Sequence, residues 1–279
     1  MVASYGLRVR GFKLKSAGSL LFLLFLFFPA LLPAQTNDYQ LLKTIPIEAT
    51  LLTSDRLGYG YAVNQKQELL RINKKGEVVF KFNNNALGTI TSVDANNALR
   101  ILVYYADYST IITLDNTLSQ TGRINLLELG SNQVSAACVA LDNNIWIYDA
   151  VLYRLRKIDA NMNVLMQSED LNALIGQSVR ANFLMEKDNF LYVNDPALGI
   201  LVFDIYGTYI KTLPLTGLNQ FQKIQDRLLF FKEGKLFSYH LLTFNFEEIL
   251  LPVTDCVNAA IEKDRLFVLQ KNQLEVYSY

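Results

Sequence analysis

The chain is poor in the residues that carry most enzyme chemistry: its 279 residues hold one histidine, two cysteines and one tryptophan. Ser-His-Asp and Cys-His arrangements need an imidazole beside the nucleophile, so any such chemistry would rest on His240 alone. Multi-histidine metal sites are excluded. Glycine (14) and proline (6) are modest, and nothing reads as a linker or a low-complexity tail. Past residue 34 there is no polybasic cluster to hold an anionic membrane surface. No glycine loop cradles a phosphate either, since Gly58-Tyr59-Gly60 reads as strand, where glycine marks a close backbone approach.

The first 34 residues stand apart. Arg8, Arg10, Lys13 and Lys15 form a positive segment without an acid, an apolar run follows from Leu20 to Phe28, and Pro29 to Ala34 leads into polar Gln35-Thr36-Asn37-Asp38. This pattern predicts a cleaved export signal over residues 1–34, with Ala34 the small residue before the cut. The rival reading is an uncleaved anchor. A spanning helix needs about 20 apolar residues, and this run is shorter and interrupted by Pro29 and Pro33. No cysteine follows the run, so a lipid-modified N-terminus is unsupported. Four of the 26 basic residues and none of the 26 acidic ones lie in residues 1–34, leaving 22 against 26 and a net charge of −4. Such a chain is a poor match to nucleic acid, which is bound mainly through Lys and Arg. A periplasmic, outer-membrane-associated or secreted protein is expected, without membrane insertion after cleavage.

The remaining 245 residues, 35–279, read as one repetitive β domain. Asp142-Asn143-Asn144-Ile145-Trp146-Ile147-Tyr148-Asp149 has the pattern of Asp188-Asn189-Phe190-Leu191-Tyr192-Val193-Asn194-Asp195: a polar turn, an apolar and aromatic strand, then an acid. Further copies begin at Asp226 and Asp264, with weaker ones near Asp55 and Asn97. The turn acids at 142, 188, 226 and 264 are 46, 38 and 38 residues apart. A period near 40 built only of strand-like segments predicts a β-propeller of four-stranded blades. The third copy resolves into strands at 135–141, 144–148, 154–158 and 164–167; the fourth into 182–186, 190–193, 200–203 and 209–213. No helical stripe of useful length follows the leader. The last copy offers only three strands, at 257–261, 266–269 and 274–277, while Tyr39 to Ile45 is a spare strand ahead of the first copy. Lending that strand to the last blade removes an exposed sheet edge. The expected fold is therefore all-β: a six-bladed propeller of antiparallel blades, its ring closed by an N-terminal outer strand.

Asn189 to Asp195, followed by Ile200-Leu201-Val202-Phe203-Asp204 and Tyr206-Gly207, resembles the NHL-type repeat of six-bladed propellers. The resemblance covers the third and fourth copies best and lacks the usual glycine before the second strand. It implies the fold and little about activity, because this fold hosts lyases, lactonases and pure binding modules.

His240 aligns with Asn73, Asp115, Asp159 and Asp204 at the end of the third strand, where such side chains accept hydrogen bonds from the following turn. A turn role is expected for it, not catalysis. Asp107, Asp149 and Asp195 follow the second strand in three consecutive copies and should form an arc on one face. Converging carboxylates hold calcium through oxygen ligands, and some six-bladed hydrolases of similar fold use a central ion. The favoured reading is that each Asp caps its own loop, since the other copies carry Asn64-Gln65-Lys66, Lys232-Glu233-Gly234 and Lys271-Asn272 there. No metal or other cofactor is expected, calcium being the minor alternative. Cys138 and Cys256 fall in the innermost strands of the third and sixth copies, across the channel from one another. A disulfide needs Cα atoms within about 7 Å, so two buried free thiols are expected, without a basic group to activate either.

Tyrosines cluster in the first three copies. Tyr59, Tyr61 and Trp146 lie inside strands and are expected to pack between blades, whereas Tyr105, Tyr108 and Tyr153 fall in or beside loops and are candidate binding residues. Together with Asp107, Asp149 and Asp195 they form the candidate binding set; no catalytic residue is assigned. The expectation is a non-catalytic protein-binding or scaffold subunit of the cell envelope, its partner another envelope protein. The alternatives are a glycan- or small-ligand-binding propeller and a metal-dependent hydrolase or lyase at the channel mouth. Inward-facing polar groups for the last are a thin set: Asp94, Asn182, Glu186, Gln222 and Asn258.

Overall fold

The computed structural model describes residues 39–131 and 133–279; the expected export signal, 1–34, lies outside them. Strand β1 (Gln40–Pro46) comes first. Blade 1 is β2 (Ala49–Ser54), β3 (Gly60–Asn64), β4 (Leu69–Ile72) and β5 (Val78–Phe82). Blade 2 is β6 (Ser92–Asp94), β7 (Ile101–Tyr105), β8 (Thr110–Leu114) and β9 (Gln120–Asn125). Blade 3 is β10 (Val134–Val139), β11 (Ile145–Asp149), β12 (Arg154–Ile158) and β13 (Val164–Gln167). Blade 4 is β14 (Phe183–Lys187), β15 (Phe190–Asp195), β16 (Gly199–Asp204) and β17 (Tyr209–Leu213). Blade 5 is β18 (Gln222–Ile224), β19 (Arg227–Lys232), β20 (Lys235–His240) and β21 (Phe246–Ile249). Blade 6 is β22 (Asn258–Glu262), β23 (Arg265–Leu269) and β24 (Gln273–Ser278), and β1 is its fourth strand, antiparallel to β24. The fold is a six-bladed β-propeller. One five-residue helix, α1 (Leu171–Ile175), and three short 3-10 turns make up the helix among the described residues.

Alternation along the strands explains how the blades stack. In β7, Ile101, Val103 and Tyr105 pack against blade 1 while Leu102 and Tyr104 pack against blade 3. In β11, Ile145 and Ile147 face blade 2 while Trp146 and Tyr148 face blade 4. A strand sandwiched between two sheets is apolar on both faces, so its sequence runs continuously hydrophobic instead of alternating. Six apolar clusters, one per blade-to-blade seam, form the core. The outer strands have only one neighbour and stay largely exposed, as in β13 and β21.

Several local expectations change. Cys256 lies two residues before β22, not within it, and is half-buried, whereas Cys138 in β10 is fully buried; both are free thiols. Burial raises the pKa of each. Gly58 sits in the turn before β3, at φ +87°, its N–H donating to Asp55 O at 2.9 Å. Gly60 is the close approach: a Cβ there would lie 2.6 Å from Phe267 Cε1 of blade 6. At the ends of the third strands, Asn73, Asp115, Asp159 and Asp204 each accept backbone N–H groups from two and four residues on, at 2.8–3.0 Å. His240 plays a similar part through Nδ1, accepting from two and three residues on, Leu242 N and Thr243 N, at 3.2 and 3.3 Å.

Candidate functional site

The central channel is nearly closed. Gln220 Nε2 donates across it to Leu52 O at 2.9 Å, and Gln222 Nε2 to Ser54 Oγ at 2.7 Å, while Gln222 Oε1 accepts from Ile261 N at 3.0 Å. The void left inside is about 30 Å3. Of the other inward candidates, Asp94 and Glu186 are buried and serve as staples between blades. Asp94 accepts from Val139 N of blade 3 at 2.8 Å, and burial raises its pKa. Glu186 accepts from Leu141 N at 2.8 Å and Trp146 Nε1 at 2.5 Å. A wider basin of about 460 Å3 opens on the face where the innermost strands begin, here the upper face. Uncharged side chains line it, including Thr50, Thr91, Asn182, Asn219, Phe183 and Phe231.

The upper face also carries the loops joining second to third strands, where the sequence placed its candidates. Tyr105 is corrected: it is the last residue of β7, fully buried against blade 1, and burial pushes its pKa up to about 12. Asp149 and Asp195 are likewise buried and unavailable to a ligand in the channel. Asp149 Oδ1 accepts from Val151 N and Leu152 N, and its Oδ2 from Ser131 Oγ and Arg156. Asp195 Oδ1 accepts from Ala197 N and Leu198 N, and its Oδ2 from Arg180 N. Asp107 is exposed but out of step with them. Tyr105 pairs with Thr110 as Asp149 pairs with Arg154, so Tyr105 occupies the repeat position and Asp107 sits in the turn beyond it. The three carboxylates do not converge, and among the described residues no three His, Cys, Asp or Glu side chains group so as to hold a metal ion.

Tyr108 and Tyr153 are exposed as expected, 54% and 38%. The apolar side chains beside them went unread in the sequence. Leu127, Val151, Leu152 and Leu174 are 39–54% exposed in the neighbouring upper-face loops of blades 2 and 3. These loops are firmly held. Leu126 N donates to Ser109 O and Leu171 N to Tyr153 O, both at 2.8 Å, which ties each turn to the connection leading to the next blade. Asn125 caps the 3-10 turn that bears Leu127, and Asp170 caps α1, which bears Leu174. Asp149 fixes the turn bearing Val151 and Leu152. Tyr153 is held at φ +52°, a conformation costly for an aromatic residue. These hydrogen-bonded loops present exposed apolar side chains on the upper face of blades 2 and 3, here called the ledge.

No known family model matches the chain, and no curated protein matches its sequence. Solved structures do match in fold. A streptogramin B lyase is 15% identical with a TM-score of 0.54, over 87% of this chain and 86% of that one. A virginiamycin B lyase from Staphylococcus aureus is 14% identical with a TM-score of 0.54, over 87% and 89%. The Pan2 WD40 domain of Neurospora crassa is 10% identical with a TM-score of 0.55, over 85% and 80%. At these identities the likeness establishes the propeller fold and nothing about chemistry.

Proposed function

We propose that this propeller is a non-catalytic protein-binding or scaffold subunit of the cell envelope, with blades of the NHL type, and that its partner seats on the upper-face ledge. The observation that carries the reading is the group of Tyr108, Leu127, Val151, Leu152, Tyr153 and Leu174, exposed on loops fixed by caps and strand-to-loop hydrogen bonds. Exposed apolar side chains gathered on one face favour interaction surfaces, tyrosine is enriched at binding hot spots, and hydrogen-bonded loops lower the entropic cost of association. Asp149 and Asp195 support this reading by positioning loops.

A second reading has its own observation. The amide- and hydroxyl-lined basin with Phe183 and Phe231 suits an uncharged sugar, which would make the protein a glycan receptor. A pull-down of the tagged protein from its native envelope, with mass spectrometry, separates the two. A stoichiometric partner that is lost in a Tyr108→Ser, Leu127→Ser, Tyr153→Ser variant supports the ledge. A protein that comes down alone and is retained on an immobilised glycan refutes the scaffold reading.

A further inference from the structure

On the opposite, lower face a cavity of about 660 Å3 lies over blades 2 and 3. Three arginines line it: Arg56 from the loop after β2, Arg100 just before β7, and Arg123 on β9. No Asp or Glu is among its lining residues. The guanidiniums of Arg71 and Arg156, buried between blades, are matched to Asp55 and Asp149. In contrast, none of the three cavity arginines has a side-chain hydrogen bond or ion pair among the described residues. Arg100 is half-buried, and its Nε, like those of Arg71 and Arg156, is sealed from water without an acceptor; unlike theirs, its guanidinium has no carboxylate partner either. Uncompensated positive charge gathered in one concavity is a binding signature, the more so where residues 35–279 carry a net charge of −4.

We infer that this cavity binds a phosphate-bearing ligand. Guanidinium forks match phosphate oxygens through paired, charge-assisted hydrogen bonds, and three of them without a competing carboxylate suit a multiply charged anion. Asn97 and Asn143, joined by a hydrogen bond of 3.3 Å, supply neutral polar groups within the same concavity for the ligand's hydroxyls. Leu99 and Leu141, 66% and 61% exposed, flank the site and offer contact to an apolar portion of the ligand. A soluble phosphate compound and a phospholipid headgroup share this chemistry.

Two assays on the purified chain distinguish those sources: calorimetric titration with inorganic pyrophosphate, and co-sedimentation with vesicles of phosphatidylcholine with or without phosphatidylglycerol. Pyrophosphate binding without sedimentation assigns a soluble ligand, and sedimentation confined to phosphatidylglycerol vesicles assigns a headgroup. Arg100→Gln and Arg123→Gln should each weaken the interaction about tenfold, and raising the salt should weaken it further. Arg56 and Arg123 are exposed, so Arg56→Gln and Arg123→Gln test the site even where Arg100→Gln perturbs the fold. The inference is overturned if neither probe binds, or if the Arg56→Gln, Arg123→Gln variant binds as the parent does.

Discussion

Glu186→Ala should be a severely destabilising truncation, because it unpins blade 4 from blade 3. Glu186 lies on β14 of blade 4, 4% exposed, and reaches back to blade 3. Its oxygens are the acceptors for Leu141 N and for the indole N–H of fully buried Trp146, while Lys157 Nζ stands 3.9 Å away. Removing the carboxylate leaves two donors without a partner, at about 1–3 kcal/mol each. Breaking a buried ion pair from one side costs about 3–5 kcal/mol, but here that term is discounted. Lys157 keeps Asp142 at 2.7 Å, and half-exposed Asp142 remains solvated. The net expectation is about 3–5 kcal/mol, mostly from the orphaned donors. For a domain of this size that is a fall in Tm of roughly 6–20 °C. Urea unfolding followed by circular dichroism measures the loss, and a double-mutant cycle with Trp146→Phe should return a coupling of about 1–3 kcal/mol. Glu186→Gln, which keeps one acceptor oxygen, should fall between. A Glu186→Ala variant within 1 kcal/mol of the parent, or a cycle without coupling, would refute the stapling argument.

Gly60→Ala should cost about 1–3 kcal/mol by overpacking, because the new methyl meets the Phe267 ring; Phe267→Leu in the same chain should recover part of it, and no recovery would locate the strain elsewhere. Acid sensitivity should follow the turn carboxylates. The Thr117 hydroxyl and turn N–H groups hold the Asp115 pKa below its usual 3.8, and the Asn163 amide does the same for Asp159. Below pH 3.8 the unfolded chain then binds more protons than the folded one, so this contribution is present above that pH and lost as pH falls through the folded values. Asp115→Asn with Asp159→Asn, the residue type found at Asn73, should flatten the decline of stability below pH 4, and an unchanged slope would count against it. Thiol titration of the native protein should find Cys138 unreactive and Cys256 slow, with two thiols released on unfolding; fewer than two would mean a disulfide.

The blade pattern and the closing strand were legible because β-branched and aromatic residues recur between polar turns, and strand ends shifted by only one or two positions. Tyr105 was misread because Ile101-Leu102-Val103-Tyr104-Tyr105 next to Asp107 looks like a strand running out into a loop. The sandwich between blades buries all five residues. Asp107 was placed out of register because the 3-10 turn Ala106–Tyr108 displaces it from the repeat position. Leu127, Val151, Leu152 and Leu174 could not be told from core residues by type, and only the loop geometry turns them outward. Arg56, Arg100 and Arg123 are scattered through the sequence, so no run of charge marks the cavity they share.

The pairing of β1 with β24 has a consequence for the order of events in folding. Gln40 pairs with Ser278, and Pro46 with Gln273. This seam therefore joins residues almost the full domain apart, and contacts of such long sequence separation form slowly. Until the last strand is made, β1 has no sheet to join, and blades 1 to 5 form an open arc with unpaired flanks. Synthesis itself thus imposes a waiting period on this protein. During that interval the vulnerable surface is the future partner of blade 6, the inner flanks of blades 1 and 5, where Leu52, Ala62, Leu229 and Leu236 stand uncovered. A helper that shields the nascent arc would have to act there, and would be dismissed when the chain's own final strand arrives.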